Sequence, residues 1–140
     1  MAGSMSAGRE FASHLRLIGD AIEAAGFEVL SKPVLDPADD LANLTLEKHR
    51  HIFRRDLDWI AGSVAMIAEV STPSFGVGYE ISEALHCAKP VLCLRHESLK
   101  GKILSALIYG NTSPFITVRH YDDHTVAELV REFLAALFPL

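Results

Sequence analysis

The sequence has few cysteines and no long apolar run, and both absences restrict what the protein can be. Its two cysteines, Cys87 and Cys93, lie in apolar surroundings and are predicted to be buried, reduced thiols of a cytoplasmic protein. No apolar stretch approaches the roughly 18 residues that a membrane span needs, so no membrane contact is expected. No charged segment followed by an apolar one opens the chain, as it would in a signal peptide.

A surplus of basic residues is also lacking. Thirteen lysines and arginines stand against 18 acidic residues, which gives a formal net charge of −5. Nucleic acid is therefore not an expected partner, unless one face concentrates the arginines. Hydrophobic residues make up 49% of the 140 residues and charged residues 22%, which is typical of a globular chain and excludes a disordered one. We expect a single domain over residues 1–140.

Helical and strand-like segments alternate along the chain. Helices are predicted at residues 9–25, 45–61, 79–88, 102–109 and 124–137, and strands at 27–31, 64–70, 91–94 and 115–118. Gly26 is the predicted end of the first helix, and Leu46, Phe53, Leu57 and Ile60 form the predicted buried face of the second. This alternation predicts an α/β fold, a doubly wound, flavodoxin-like or Rossmann-like parallel sheet of five strands in the order 2-1-3-4-5.

The first strand of such a sheet has little room in this sequence, because only Met1 and Ala2 precede Gly3 and Ser4. Three explanations remain open. The strand is very short, the start codon is assigned a few residues late, or Met1 to Ser4 is a cloning remnant before a true start at Met5.

The segment that follows the strand at 64–70 carries the strongest chemical signal. Pro73, Ser74, Gly76 and Gly78 lie between this strand and Glu80. Glycine lets backbone N–H groups approach an anion, a helix N-terminus adds partial positive charge, and the Ser74 hydroxyl can donate to the same anion. No Gly-Lys-Ser/Thr follows, so the segment is not a P-loop.

Two carboxylates each admit two interpretations. Glu80 is either a helix N-terminal acid stabilised by the helix dipole or a nucleophile that attacks an anomeric carbon. Asp56 is either an exposed helical acid paired with a neighbouring arginine or a second carboxylate in the same cleft. Asp58 is a reserve candidate. It points about 200° away from Asp56 around the helix, so the two carboxylates cannot both face the same cleft.

Other candidates are weaker. A second small-residue loop is suited to an anion or a sugar, and it consists of Gly3, Ser4, Met5, Ser6, Ala7 and Gly8. Ser105 lies on the short helix predicted at 102–109 and is by itself more typical of a surface serine. The seven histidines form no HExxH or Cys-His motif, so neither a metal nor a cofactor is expected. No Gly-x-Ser-x-Gly sequence supports a serine hydrolase.

Four segments resemble the nucleoside 2-deoxyribosyltransferase superfamily, and within it the 2′-deoxynucleoside 5′-phosphate N-hydrolases. They are Gly3-Ser4-x-x-x-Gly8-Arg9-Glu10, Asp56-Leu57-x-Trp59, Ala68-Glu69-Val70-x-x-Pro73-Ser74-x-Gly76-Val77-Gly78-Tyr79-Glu80, and Leu104-Ser105-Ala106. They stand in the family's order and span nearly the whole chain.

The resemblance implies an enzyme that releases the free base from a deoxynucleoside monophosphate. By it, Glu80 is the nucleophile at C1′, Asp56 assists the reaction, and Ser74 binds the 5′-phosphate. Ser105 would contact the phosphate from the neighbouring subunit of a homodimer, and residues 3–8 would line the sugar-phosphate pocket.

Two departures and two rival functions accompany this expectation. The aromatic residue that usually precedes the family's Gly-Ser is absent here, and Ser6 stands where an arginine is often found, with Arg9 a turn further on.

The rival functions are a deoxyribosyltransferase acting on unphosphorylated nucleosides and a non-catalytic nucleotide-binding module. Serines at positions 74 and 105 favour a phosphorylated substrate over the first, and the paired carboxylates argue against the second.

Overall fold

Residues 12–32 and 44–139, together with Met1 and Gly3, are described by a computed structural model of the protein. Most of the predicted glycine-containing loop, namely Ser4, Met5, Ser6, Ala7 and Gly8, lies outside the described residues, and so does Arg9.

Five helices and three strands alternate in the described part of the chain. The helices are α1 (Ala12–Ala24), α2 (Leu46–Gly62), α3 (Phe75–His86), α4 (Ala106–Tyr109) and α5 (Val126–Leu137). The strands are β1 (Met66–Glu69), β2 (Val91–His96) and β3 (Ile116–Tyr121), and a 3₁₀ turn at Glu97–Leu99 follows β2.

The three strands form one parallel sheet in the order β1-β2-β3. Met66 pairs with Val91, and Val91 pairs with Ile116 on its other side. Helices lie between successive strands, as a parallel connection requires. The predicted α/β fold with a parallel sheet and flanking helices is therefore confirmed.

The predicted number of strands is not found, because the described residues contain three strands rather than five. The predicted strand at 27–31 has no strand structure. Its first amide is used by the preceding helix instead: the N–H of Phe27 donates to Ile22 O at 3.2 Å and that of Gly26 to Glu23 O at 2.9 Å. Gly26 has a φ of +87°, so this is a Schellman motif that ends α1.

Alternate side chains of the strands face two separate apolar layers, as the two-residue period of a strand requires. Ile67 and Leu92 pack with α1 and α5 on one face. Met66, Ala68 and Val91 pack with α2 and α3 on the other. The helices thus cover both faces of the sheet, and α2 and α3 share the face on which the candidate acids lie.

Some predicted details differ from the structure. Helix α3 begins at Phe75 rather than at residue 79, because Ser74 caps it. Leu46 and Phe53 are exposed rather than buried, since the face of α2 that covers the sheet is limited to the region of Ile60. Cys93 is buried as expected, whereas Cys87 is exposed because it lies just beyond the end of α3.

No helix in the described ranges is both long enough and apolar enough to cross a lipid bilayer.

Candidate active site

An open cavity lies beside β1, between the start of the described chain and the helices α2 and α3. Its lining includes Met1, Asp56, Trp59, Met66 and Glu80. The structure therefore brings the two predicted acids together, since Asp56 on α2 and Glu80 on α3 face the same space. Asp58 is exposed and does not line the cavity, in agreement with its predicted opposite direction.

Glu80 has a strongly perturbed acidity. The pKa of its carboxyl group is raised to about 7, chiefly by burial and in addition by the negative charge of Asp56. The amino group of Met1 and the guanidinium of Arg55 act in the opposite direction, but they do not cancel the effect of burial. A carboxyl group in an apolar environment that titrates near neutral pH is suited to chemistry at neutral pH.

Asp56 is held by its neighbour on the helix. Both Nε and Nη2 of Arg55 lie 2.9 Å from Asp56 Oδ1. The same guanidinium stacks over the ring of Trp59, with 4.4 Å between Cζ and the ring centroid. Trp59 itself lines the cavity. These contacts hold the carboxylate of Asp56 in one orientation. Asp56 is paired with an arginine as expected, but it is half-buried rather than exposed and it lines the cleft.

The predicted anion-binding segment forms the start of α3. Ser74 is the N-cap residue, and its Oγ accepts a hydrogen bond of 3.3 Å from the N–H of Val77. The hydroxyl proton of Ser74 is not used by this bond, so it can be donated to an anion. Gly76 and Gly78 lie in the first turn and a half of α3. A Cβ at Gly78 would meet nothing within 4 Å, and one at Gly76 would meet only Ser74 Oγ at 3.8 Å.

Ser105 lies apart from these groups. It is exposed at the start of α4 and its side chain makes no cap hydrogen bond. Among the described residues, it is not part of the cavity lining. The segment before it is tied to β2, because the buried Arg95 donates from Nη2 to Ile103 O at 3.3 Å. The contribution of Ser105 to a site in a partner subunit stays a prediction.

Gly3 has a packing role in the structure. A Cβ at this position would collide with the methyl groups of Leu15, a buried residue of α1. The glycine therefore allows the start of the chain to lie against α1.

A buried polar cluster at the carboxyl ends of the strands was not among the predicted site residues. Glu69 ends β1 with 2% of its surface exposed, and its carboxylate accepts hydrogen bonds from Ser71 and from Tyr121. The sequence carries a signal for it, because Glu69 is the one charged residue in the apolar run 64–70.

Two histidines also lie close together at this edge of the sheet, although their positions in the sequence do not indicate a contact. The rings of His14 and His96 have centroids 4.7 Å apart, and His14 Nε2 lies 3.0 Å from Asp123 Oδ1. In the described part of the chain, the side chains of His14, His96 and Asp123 lie close enough together to bind a metal ion. The contact between His14 and Asp123 is that of an ion pair when the imidazole is protonated.

A parallel sheet with helices on both faces defines an α/β protein, and two of its carboxylates line one cleft. No protein-family model matches the sequence. A protein of Methanosarcina mazei, with the provisional name 2′-deoxynucleoside 5′-phosphate N-hydrolase 1, is 39% identical over 98% of this chain and 83% of its own length. The 5-hydroxymethyl-dUMP N-hydrolase of Rattus norvegicus is 36% identical over 98% of this chain and 84% of its own. The chain belongs to the family of 2′-deoxynucleoside 5′-phosphate N-hydrolases.

A relative from Nematostella vectensis, with the same provisional name as the M. mazei protein, is 38% identical over 96% of this chain and 92% of its own length. Among solved structures, a Clostridium botulinum CMP N-glycosidase is similar with a TM-score of 0.63, covering 95% of this chain and 99% of its own at 22% identity. At that identity the likeness supports the fold alone.

Proposed function

We propose that the protein hydrolyses the N-glycosidic bond of 2′-deoxynucleoside 5′-monophosphates, releasing a free base and 2-deoxyribose 5-phosphate. The observation that carries the proposal is the pairing of Asp56 and Glu80 in one cavity, with the pKa of Glu80 raised to about 7. Membership of the N-hydrolase family gives this pair its expected substrate.

In the proposed reaction the carboxylate of Glu80 attacks C1′ and forms a glycosyl ester. The C1′–N bond breaks, and its electron pair leaves with the base, which takes up a proton. A water molecule then attacks C1′, restores the Glu80 carboxylate and transfers a proton to Asp56, which returns it to solvent. The transition states resemble an oxocarbenium ion and are easier to reach on a 2-deoxy sugar, because the 2′-hydroxyl with its electron-withdrawing effect is missing.

The 5′-phosphate would bind at the start of α3. Ser74 offers a hydroxyl proton there, and the first-turn amides and the helix dipole favour an anion. Gly76 and Gly78 present no side chain toward the open space in front of them. Binding the phosphate at this point would position C1′ against Glu80 on the same helix, which converts binding energy into orientation. Residues 3–8 are proposed to complete the pocket.

The enzyme is proposed to act as a homodimer in which Ser105 reaches the phosphate of the partner's substrate. Large apolar side chains around Ser105 are exposed, with 99% of Ile103, 82% of Leu107 and 70% of Tyr109 accessible. Phe75, at the start of α3, is fully exposed as well. An exposed apolar surface of this kind is typical of an interface between subunits.

Three further predictions, on the domain, the strand order and the cellular location, belong to the same proposal. Residues 1–140 form one domain, in which Met1 and residues 27–31 occupy the positions of the two remaining strands of the 2-1-3-4-5 order. The hydrogen bond of 2.7 Å from Ser31 Oγ to Met1 O brings these segments together. A cytoplasmic location fits two unpaired thiols at Cys87 and Cys93.

The test is the release of base from each of the four common deoxynucleoside monophosphates and from 5-hydroxymethyl-dUMP, the substrate in the name of the rat relative. The wild type should release base, whereas Glu80→Gln should release none above background. Asp58→Asn, an exposed change on the same helix as Asp56, is the matched control and should retain activity. Transfer of the sugar to an added second base, with unphosphorylated nucleosides preferred, would instead indicate a transferase, and tight nucleotide binding without base release a binding module.

A further inference from the structure

Glu69 is a buried carboxylate that the proposed reaction does not use. It is the last residue of β1, with 2% of its surface exposed. Burial raises its pKa, while hydrogen bonds from Ser71 and Tyr121 and the charge of His14 oppose that rise. A carboxylate so far from solvent is costly unless its oxygens accept hydrogen bonds, so its partners indicate what it stabilises.

The hydrogen bonds around Glu69 connect the ends of all three strands, directly to β3 and through Ser71 to β2. The backbone N–H of Ser71 lies 3.2 Å from both carboxylate oxygens, and the hydroxyl groups of Ser71 and Tyr121 donate to Oε1, the latter at 3.1 Å. Ser71 Oγ in turn accepts from the N–H of His96 at 2.8 Å. Glu69 ends β1, His96 ends β2 and Tyr121 ends β3, so one carboxylate and one hydroxyl connect the three strand ends.

These hydrogen bonds hold the chain where it leaves the sheet for α3. Ser71 is three positions before Ser74, whose side chain caps the helix that carries Glu80. The backbone N–H of Ser71 donates to Glu69, and its side-chain hydroxyl accepts a hydrogen bond from the end of β2. Ser71 is therefore held at both its main chain and its side chain. Removing the acceptor would leave a buried N–H and two hydroxyls without their partner and would free the segment 71–74.

We propose that Glu69 is a positioning residue, which holds the segment 71–74 so that Ser74 meets the 5′-phosphate of the substrate. The inference rests on the proposed function, since it assigns Ser74 to the phosphate. Glu69 itself touches neither the substrate nor the reacting atoms. Its effect is on binding of the phosphorylated end of the substrate, and the chemistry at C1′ depends on it only through that binding.

The first experiment compares Glu69→Gln with the wild type on two substrates, the deoxynucleotide that the wild type cleaves fastest and the same nucleoside without its phosphate. For the nucleotide, kcat/KM should fall roughly tenfold, with a rise in KM, because the phosphate is held less firmly. For the nucleoside, kcat/KM should change less than about twofold. In a Ser74→Ala background the substitution of Glu69 should have almost no further effect on KM, because both act through one contact.

Tyr121→Phe is the milder variant, since it removes one donor to Glu69 and keeps the buried ring. It should raise KM in the same direction but less than Glu69→Gln does. Ser82→Ala, which removes a hydroxyl group at an exposed position of α3 outside the cavity lining, is the control and should leave KM unchanged. Thermal unfolding of each variant identifies any loss of folded protein.

Two results would overturn the inference: an equal loss on nucleotide and nucleoside, or additive effects of Glu69→Gln and Ser74→Ala on KM. Calorimetric binding of 2-deoxyribose 5-phosphate provides a readout that needs no hydrolysis. Wild type should bind this sugar phosphate and Glu69→Gln should bind it more weakly, whereas equal binding or no binding by the wild type counts against the role of Glu69. Failure of the proposed function is distinct, because it is the absence of base release by the wild type.

Discussion

Asp56 and Glu80 are coupled across the cavity: the negative charge of the first adds to burial in raising the pKa of the second. A helix of its own supplies each carboxylate, α2 for Asp56 and α3 for Glu80. Both helices pack on the same face of the sheet, so the separation of the two acids is set by the fold rather than by a mobile loop. Packing of the two helices therefore sets the electrostatic effect of Asp56 on the pKa of Glu80, and that effect can be measured.

The pH profile of kcat/KM should report this coupling. In the wild type the rate constant should rise with pH to a plateau above a midpoint near the Glu80 pKa of about 7, because only the ionised carboxylate is a nucleophile. Asp56→Asn removes a cause of the raised pKa, so the midpoint should move to lower pH while the plateau falls. The substrate phosphate has its own second pKa near ~6, but that titration is common to both enzymes and cancels in the comparison. An unchanged midpoint in Asp56→Asn would contradict the coupling.

Stability should depend on pH through the same residue. The folded-state pKa of Glu80 is about 7, above its ordinary value of 4.5, so the folded state holds its proton more tightly than the unfolded state does. Its contribution is fully present below pH ~4.5 and is lost as pH rises through ~7. Glu80→Gln avoids that loss and should match the wild type near pH 4.5 but exceed its free energy of unfolding by up to roughly 3 kcal/mol at pH 8.

Urea unfolding at the two pH values measures this difference. Ser82→Ala, at an exposed position of α3 outside the cavity lining, changes no ionisable group and is the control, so its difference from the wild type should be the same at both pH values. A Glu80→Gln protein that is no more stable at pH 8 would indicate that the carboxyl group of Glu80 is well solvated.

The start of α3 illustrates how far the sequence alone can predict this site. The segment with Pro73, Gly76 and Gly78 has the composition of a loop, and a loop up to residue 78 was the expectation. In the structure, the N-cap bond from Val77 N–H to Ser74 Oγ begins the helix at Phe75. A local propensity was overridden by a cap and by packing of Val77 and Ile81 on the sheet. Ser74 and Glu80 stay predicted site residues, whereas the helix that joins them was predicted to begin four residues too late.

Contacts between distant segments were beyond prediction for a different reason. Glu69 and Tyr121 are 52 positions apart, and nothing in a local pattern indicates that their side chains meet. A lone acid in an apolar strand marks a buried polar group, but the identity of its partners depends on the register of β1, β2 and β3. The Schellman motif at Gly26 is the opposite case, because the glycine predicted the helix end correctly while the apolar residues after it wrongly predicted a strand.

Gly78→Ala should raise KM for the nucleotide without lowering the free energy of unfolding. A Cβ at Gly78 would meet nothing within 4 Å, and alanine is favoured over glycine in a helix by about 0.5–1 kcal/mol. The variant should therefore be as stable as the wild type or more so. If the open space in front of Gly78 receives the substrate, KM for the nucleotide should nevertheless rise. A more stable variant with unchanged KM would show that the substrate lies elsewhere.

Ser74→Ala should weaken both the helix and the binding of substrate. Loss of the N-cap should reduce the free energy of unfolding by about 1 kcal/mol, and loss of the hydroxyl should raise KM for the nucleotide. Thr45→Ala is the matched control, because Thr45 caps α2 through a bond of the same length, 3.3 Å, to Lys48 N–H. It should have a similar stability cost without an effect on KM. Similar changes of KM in both variants would mean that Ser74 acts only through stability.

Subunit association should depend on the exposed apolar side chains near Ser105. Ile103→Asp places a charge where 99% of the side chain is accessible in one chain, so it should not disturb folding but should dissociate a dimer. Sedimentation velocity should show a dimer for the wild type and a monomer for this variant. Val64→Asp, at an exposed apolar position before the amino end of β1, is the control and should leave the dimer intact.

The contribution of Ser105 across the interface can be tested by mixing two defective chains. In a heterodimer of Glu80→Gln with Ser105→Ala, one site lacks both groups, whereas the other combines an intact Glu80 from one chain with an intact Ser105 from its partner. That second site should bind the nucleotide with the KM of the wild type, although the Glu80→Gln homodimer is inactive and the Ser105→Ala homodimer binds weakly. If Ser105 instead served its own chain, the only site with an intact Glu80 would lack the hydroxyl, and the heterodimer would retain the raised KM of Ser105→Ala.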